Sequence, residues 1–268
     1  MKGEFHIHTT ASDGILTLKE VLEYVKGKTD YISITDHDIL DNSILALTEA
    51  PKYGIKAVLG VEVSTKNKGE NVHILGYFNE RSKLEEIEEI LKVVRENRIR
   101  RVYTIKDKLK EVFNIDLDVT NLLKLSSVTR GSIGREIKRQ GYGYSTKEIF
   151  DNMIGVGCPA YVPSSKIYTK EGIDLIHRCG GKAVLAHPTL LEINDPEEII
   201  KMGIDGIEAI YPLNKEGEEE KYRELAKKYK LFISGGPDFH EFNDSRHGNL
   251  LTTFLKDEDL EIFLKEVL

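Results

Sequence analysis

Short apolar runs alternate along the chain with longer stretches of helical period, a rhythm that predicts βα units around a mostly parallel sheet. Seven runs read as strands: EFHIH from Glu4, YISIT from Tyr31, AVLGVEV from Ala57, VHILGYF from Val72, AVLAH from Ala183, GIEAIY from Gly206 and LFISGG from Leu231. Helices are expected between them. The segment TLKEVLEYVKGK places Leu18, Val21, Leu22 and Val25 at the i, i+3, i+4, i+7 spacing of an amphipathic helix, with Thr17 as its cap. Similar patterns cover 43–53, 170–178, 196–202, 216–229 and 258–267.

One stretch breaks the rhythm. From 82 to 165 no strand pattern occurs; a long charged helix, SKLEEIEEILKVVRENRIRRVYTIKDKLKEVF, is followed by shorter helical pieces around Ile133 and Ile149. The simplest layout is an α/β barrel of seven strands built from 1–81 and 166–268, with 82–165 as an all-helical insertion or cap. A doubly wound open sheet gives the same local reading.

Composition narrows the class. With 268 residues, 40% hydrophobic and 31% charged, the chain is expected to be soluble and globular, with no internal repeat or low-complexity linker. No apolar run approaches the roughly 18 residues of a membrane span. The start, MKGEFHIHTT, lacks a signal-peptide pattern, so a cytoplasmic protein is expected. Cys158 and Cys179 lack CxxC spacing and read as buried thiols. The net charge of −7 argues against a broad nucleic-acid surface. That average hides an asymmetry: residues 92–147 hold 14 Lys+Arg and 6 Asp+Glu, a balance of +8, which leaves −15 for the rest. Such a segment is either a solvated helix face or a phosphate-facing cap.

The chemistry lies in the acidic part. His6, His8, His37, His73, His187 and His240 fall in or just after predicted strands. In parallel α/β folds, the loops at strand C-termini converge on one mouth, so these residues point to one place. His6 and His8 are two residues apart on a strand and project from one face. Asp13 follows in TTASDG, Glu62 lies inside GVEVS, and Asp238 precedes His240 in DFH. A lone strand histidine is more often a hydrogen-bonded core residue than a ligand. The joint pattern changes that balance, because crowded carboxylates ionise cheaply only beside a cation. Imidazole and carboxylate donors without thiolate suit Mn, Fe or Zn better than Ca or Mg, and nine donors suffice for two or three divalent ions if Glu62 bridges. Metal-assisted hydrolysis of a phosphoester is the reaction such a site implies.

The motifs HIHTTASDG, TDHD, GVEVS, VHILGY, AHP and GGPDFH, in this order from His6 to about His247, resemble the signatures of the PHP (polymerase and histidinol phosphatase) family. The resemblance implies a distorted (β/α)7 barrel and three metal subsites: His6, His8, Glu62 and Asp238; Glu62, His73 and His187; Asp13, His37 and His240. It also implies a metal-bridging hydroxide as nucleophile. Asp36 is then a ligand-orienting group or a loop cap, and with His240 it makes up the candidate catalytic residues. Within the family, the chain looks most like the branch acting on nucleoside 3′,5′-bisphosphates and trimming short RNA from the 5′ end. That branch carries GRPHIAR or a close variant in the insertion. The matching TRGSIGR keeps Arg130, Ile133 and Arg135 but has Gly131 for Pro and Ser132 for His. Arg130 and Arg135 offer bidentate phosphate contacts, whereas Ser132 supplies no near-neutral proton donor.

Further candidates stand outside these motifs. Arg95, Arg98 and Arg101 lie about one turn apart and form either a phosphate-binding or a solvated face. His247 is expected either in a loop role or against substrate, and His177 as structural. Gly235 and Gly236 read as a phosphate loop or as sites of close backbone approach. The candidate substrate contacts are therefore Arg98, Arg130, Ser132, Arg135 and His247, for a small nucleotide or short RNA and without membrane association. Two competing readings are a phosphatase for a small phosphomonoester such as histidinol phosphate and a metal- or nucleotide-binding accessory domain without turnover.

Overall fold

A computed structural model of the chain describes residues 1–79, 84–163, 166–243 and 245–268. Among them the strands are β1 (Lys2–Ile7), β2 (Tyr31–Ile34), β3 (Lys56–Ala57), β4 (Leu59–Asn67), β5 (Glu70–Phe78), β6 (Ile167–Tyr168), β7 (Lys182–Leu185), β8 (Gly206–Ile210), β9 (Phe232–Gly235) and β10 (Leu255–Lys256). The helices are α1 (Leu18–Val25), α2 (Asp41–Glu49), α3 (Leu84–Phe113), α4 (Arg130–Arg139), α5 (Thr146–Ile149), α6 (Thr169–Arg178), α7 (Pro196–Ile200), α8 (Glu218–Tyr229) and α9 (Asp257–Val267).

The strands form a four-stranded sheet, β10-β1-β2-β3, and a six-stranded sheet, β6-β4-β5-β7-β8-β9. Two isolated parallel bridges, Ile7 to Phe239 and His37 to Glu62, join them at both sides. Strands β1, β2, β4, β5, β7, β8 and β9 thereby close into a distorted barrel, and they are the seven runs read from the sequence. The run AVLGVEV divides at Val58. Its first residues pair with β2, and the rest turns away as β4. The larger departure is β5, which pairs antiparallel with both β4 and β7. Only the hairpin residues Lys68 and Gly69, both at positive φ, separate β4 from β5, and a parallel crossover needs about a dozen residues. The reversal matters for the site, because it brings the beginning of β5 beside the end of β4, with His73 opposite Ser64.

Capping follows the local sequence. Thr17 accepts from the Glu20 backbone N–H and Glu20 reaches back to Thr17, the reciprocal box that starts α1. The buried face of α1 is Leu18, Val21, Leu22 and Val25, as its spacing predicts. At one end of the barrel, Phe263 of α9 packs its ring against Phe5, Tyr77 and Phe232.

Between Leu84 and Val162 the described residues contain helices and turns but no strand. The 30-residue helix α3 serves two cores. Leu84, Ile87 and Leu91 pack into the body beneath β4, β5 and α6, whereas Val102, Ile105 and Leu109 pack with Ile133, Ile137, Ile149 and Met153 in a separate apolar cluster. Between these patches, α3 is fastened to the loop after β2: Arg95 donates to the Asp38 carbonyl (2.7 Å), and Arg98 forms a buried ion pair with the Asp38 carboxylate. The boundaries expected at 81/82 and 165/166, and the first turn of the long helix from Ser82, lie outside the described residues.

Candidate metal centre

The mouth of the barrel gathers all nine predicted ligands. His6 and His8 leave the same face of β1, and their Nε2 atoms each lie 3.2 Å from Asp238 Oδ1 and 3.5 and 3.2 Å from Glu62 Oε2. His73 Nδ1 and His187 Nε2 approach the other Glu62 oxygen, Oε1, at 2.8 and 3.0 Å. His240 Nε2 lies 3.2 Å from Asp13 Oδ1. His37 stands between the groups, with Nδ1 2.9 Å from Glu62 Oε2 and Nε2 3.9 Å from Asp13 Oδ2. Glu62 is thus shared, its two oxygens facing different histidine sets.

Whether this is a cation site or a network of hydrogen-bonded ion pairs is decided by atoms that lie close to one another yet make no hydrogen bond. His6 Nε2, His8 Nε2, Asp13 Oδ1, His37 Nδ1, Glu62 Oε2 and Asp238 Oδ1 are buried and make no hydrogen bond. A buried polar atom left in this way costs about 1–3 kcal/mol or more. These six converge: the donor atoms of His6, His8, Glu62 and Asp238 all lie within 4.8 Å of one another, as do those of His8, Asp13, His37 and His240, and those of His37, Glu62 and His73. Bonds of about 2.0–2.2 Å to a shared ion put donor atoms roughly 3.0–3.5 Å apart, the spacing observed around Glu62 Oε2 and Asp238 Oδ1. The residues fit a cluster of divalent cations.

Neighbouring groups hold the ligands in place. Asp36 accepts from Thr9 N (2.7 Å), Thr9 Oγ1 (2.6 Å) and Ser12 Oγ (2.6 Å), and Ser12 Oγ lies 3.4 Å from His8 Nδ1. It therefore fixes the loop after β1 and reaches His8 only through Ser12, outside the cavity. Glu208, buried on β8, was not anticipated. Its Oε1 lies 2.9 Å from His6 Nδ1 and its Oε2 accepts from His187 N at 2.7 Å, orienting two ligands from behind. A carboxylate inside the apolar run GIEAIY is a signal of the same kind as Glu62 inside GVEVS, since a buried strand carboxylate needs a partner. His187, Asp238 and Asp38 have positive φ (28°, 50° and 55°), a backbone region rare outside glycine and found where a site imposes the conformation. Gly236 belongs to close backbone approach, since a Cβ there would stand 2.5 Å from His6 N.

Burial pushes the carboxyls of Glu62, Asp13 and Asp238 up, but the surrounding imidazoles outweigh it and hold all three well below the carboxylate range. Burial pushes His6, His8 and His187 down, but the same carboxylates outweigh it and push them up, His8 to about 10, so the floor is a set of carboxylates balanced by imidazolium groups.

Above it lies a cavity of about 290 Å³ with a cationic wall. Arg101, Arg130, Arg135, Lys166 and Arg246 line this wall. Burial, with Arg98 and Arg130 nearby, pushes Lys166 down to about 7; burial and the adjacent Arg130 and Arg98 push Arg101 down to about 10. Cations that depress one another favour an anionic ligand. His247 also lines the cavity, its ring stacked on His240 at 3.9 Å.

Two expected substrate contacts are corrected. Ser132 is buried in the first turn of α4, its hydroxyl donating to Thr129 O and accepting from Thr129 N; it caps the helix and does not line the cavity. Arg98 borders the cavity, but its N–H groups are taken up by Asp38, Ser64 Oγ (2.8 Å) and Val128 O (3.0 Å), which makes it an anchor for α3. Arg95 is likewise bound to Asp38. His177 pairs with Asp205 (2.7 Å) away from the site, and Cys158 is half-buried where a buried thiol was expected.

Comparisons with known proteins point the same way. Residues 4–158 match the family model described as the PHP domain. The chain is 29% identical to the 5′-3′ exoribonuclease Rnm of Escherichia coli over 89% of its length and 85% of that protein. It is 27% identical to a phosphoribosyl 1,2-cyclic phosphate 1,2-diphosphodiesterase of Eggerthella lenta (88% and 93% covered), and 26% identical to a 3′,5′-nucleoside bisphosphate phosphatase of Chromobacterium violaceum (88% and 86%). A solved structure from Bifidobacterium adolescentis superposes with a TM-score of 0.87 at 24% identity, covering 99% of this chain and 96% of the other, a likeness of fold.

Proposed function

The chain belongs to the PHP domain family, and on that footing we propose that it is a metal-dependent phosphoesterase acting on a small nucleotide, as a nucleoside 3′,5′-bisphosphate phosphatase, a 5′-3′ exonuclease on short RNA, or both. The observation that carries the reading is the set of six buried donor atoms without a hydrogen bond, converging beside a cavity with a cationic wall. The exoribonuclease and the bisphosphate phosphatase among its relatives support the substrate class.

His6, His8, Asp13, His37, Glu62, His73, His187, Asp238 and His240 would hold two or three ions, with imidazole and carboxylate donors suited to Mn, Fe or Zn. Bound divalent cations supply Lewis acidity toward a phosphoryl oxygen and a water acidic enough to ionise near neutral pH. The residues around them do the remaining work. Glu208 and Ser12 fix imidazole orientations, and Asp36 holds the Thr9–Ser12 loop beneath Asp13. Arg130 and Arg135 bind the substrate's second phosphate with Lys166 and Arg101 beside them, and His247 borders the reacting phosphate over His240. The helical part, 82–165, acts as a cap domain on a barrel of 1–81 and 166–268, which its separate apolar cluster supports. No described helix is long and apolar enough to cross a membrane; a cytoplasmic site of action accords with the nucleotide and RNA chemistry of the relatives.

The test is metal analysis of the purified protein coupled to phosphate release from nucleoside 3′,5′-bisphosphates, short 5′-phosphorylated RNA and histidinol phosphate. Preference for bisphosphate over monophosphate, lost in Arg130→Ala, is the expected result; equal rates on histidinol phosphate and the nucleotides would overturn the substrate assignment.

A further inference from the structure

The cavity contains a feature that phosphate binding and metal ligation leave unused. Two aromatic side chains, Phe150 and Tyr161, line the cavity among mostly charged and polar groups. Each is paired with a guanidinium over its ring: Arg246 stands 5.1 Å from the Phe150 centroid and Arg130 5.6 Å from that of Tyr161. A bare phosphate has no use for an aromatic face. Aromatic rings and guanidinium groups are the surfaces on which unstacked nucleobases are held.

Both rings rest on backbone that is built to place them. Phe150 opens a π-helical turn, Phe150–Ile154, a rare departure from α geometry that recurs at functional positions. The turn closes against Gly155, where a Cβ would stand 2.1 Å from the Phe150 carbonyl oxygen, and Cys158 Sγ donates to the Asp151 carbonyl at 3.1 Å. The Tyr161 segment is held from the other side by α3: Lys108 donates to the Tyr161 carbonyl at 3.2 Å and Arg101 to the Val162 carbonyl at 2.7 Å. Rings carried on backbone that is already fixed leave less to order when a planar ligand arrives.

We infer that Phe150 and Tyr161, with Arg246 and Arg130, form a base-stacking subsite in which the cap holds the nucleobase of a single terminal nucleotide while its phosphate lies on the histidine and carboxylate floor. The inference rests on the proposed phosphoesterase reading and names the part of the substrate that reading leaves open. The volume of about 290 Å³ falls at the lower edge of small-molecule sites, roughly 300–1,000 Å³, a size suited to a small ligand such as a single nucleotide. Face-on stacking tolerates every base, so discrimination among the four bases is about threefold or less.

The test compares adenosine 3′,5′-bisphosphate with its abasic tetrahydrofuran analogue, which carries both phosphates and no base. In wild-type protein kcat/KM for the nucleoside exceeds that for the abasic compound by roughly tenfold or more. Phe150→Ala and Tyr161→Ala each reduce that ratio about fivefold or more, and Phe150→Tyr restores it. The same ratio in calorimetric affinity keeps the inference testable without turnover: absence of phosphate release from every phosphoester would defeat the phosphoesterase reading while the stacking ratio still speaks. Melting curves identify any variant that fails to fold, in which case Phe150→Leu and Tyr161→Leu replace it. A wild-type ratio near one, or a ratio unmoved in both alanine variants, overturns the inference.

Discussion

The floor and the wall of the cavity are built from opposite materials. The floor is buried and made of paired carboxylates and imidazoles at strand ends and the loops after them, with Glu208 and Ser12 holding His6, His187 and His8 from behind. The wall is cationic, half-exposed and supplied largely by helices and turns of the cap. A rigid sheet edge suits ions, whose ligands must stay within a few tenths of an ångström. Long arginine and lysine side chains on a cap suit substrates, whose phosphates vary in position. The two are coupled at Asp13, which receives Thr129 Oγ1 at 2.8 Å on its carboxylate and Arg135 on its backbone carbonyl.

The largest expected effects break the floor. Asp238→Ala or His187→Ala should lose bound metal and at least about a thousandfold in phosphate release together; unchanged activity in either, measured with metal content by mass spectrometry, would remove those residues from the site. Arg98→Ala attacks the joint between floor and wall. It leaves Asp38, fully buried, without its counter-ion, and should cost about 3–5 kcal/mol in chemical denaturation. A loss below 1 kcal/mol would mean that the pair does not fasten α3.

Changes to the wall should be gentler. Arg130→Ala and Arg135→Ala are expected to weaken bisphosphate binding about tenfold each with metal content unchanged, read as KM and as calorimetric affinity. Metal loss in either variant would show that the two regions are not separable. The smallest effect belongs to Thr129→Val, which removes the α4 cap and the bond to Asp13 and should cost about 1 kcal/mol of stability; Thr129→Ser should be close to wild type.

The same division explains what the sequence disclosed. The floor ligands sit in or just after short strand runs, so strand periodicity brings His6 with His8, and the convergence of strand ends brings Glu62 with His187. Glu208 was equally legible, because a carboxylate amid Ile207, Ala209 and Ile210 needs a partner, as Glu62 does inside GVEVS. The antiparallel β5 was legible from the short gap before Val72, which leaves no room for a crossover helix. The wall was not legible in this way. Basic residues at helical spacing announce a charged face without saying whether it meets Asp38, as Arg95 and Arg98 do, or the cavity, as Arg101 does. Lys166, Phe150 and Tyr161 come from irregular or short segments whose positions depend on packing between the two cores, information that local pattern does not carry.

The central claim is that the buried histidines and carboxylates hold cations which make the site work. It is tested most directly by titrating metal-free protein with Mn²⁺ or Zn²⁺ in a calorimeter while following phosphate release from adenosine 3′,5′-bisphosphate. The account predicts two or three ions bound per chain, with activity rising as they bind. Full activity in excess chelator, or no binding at all, would contradict it.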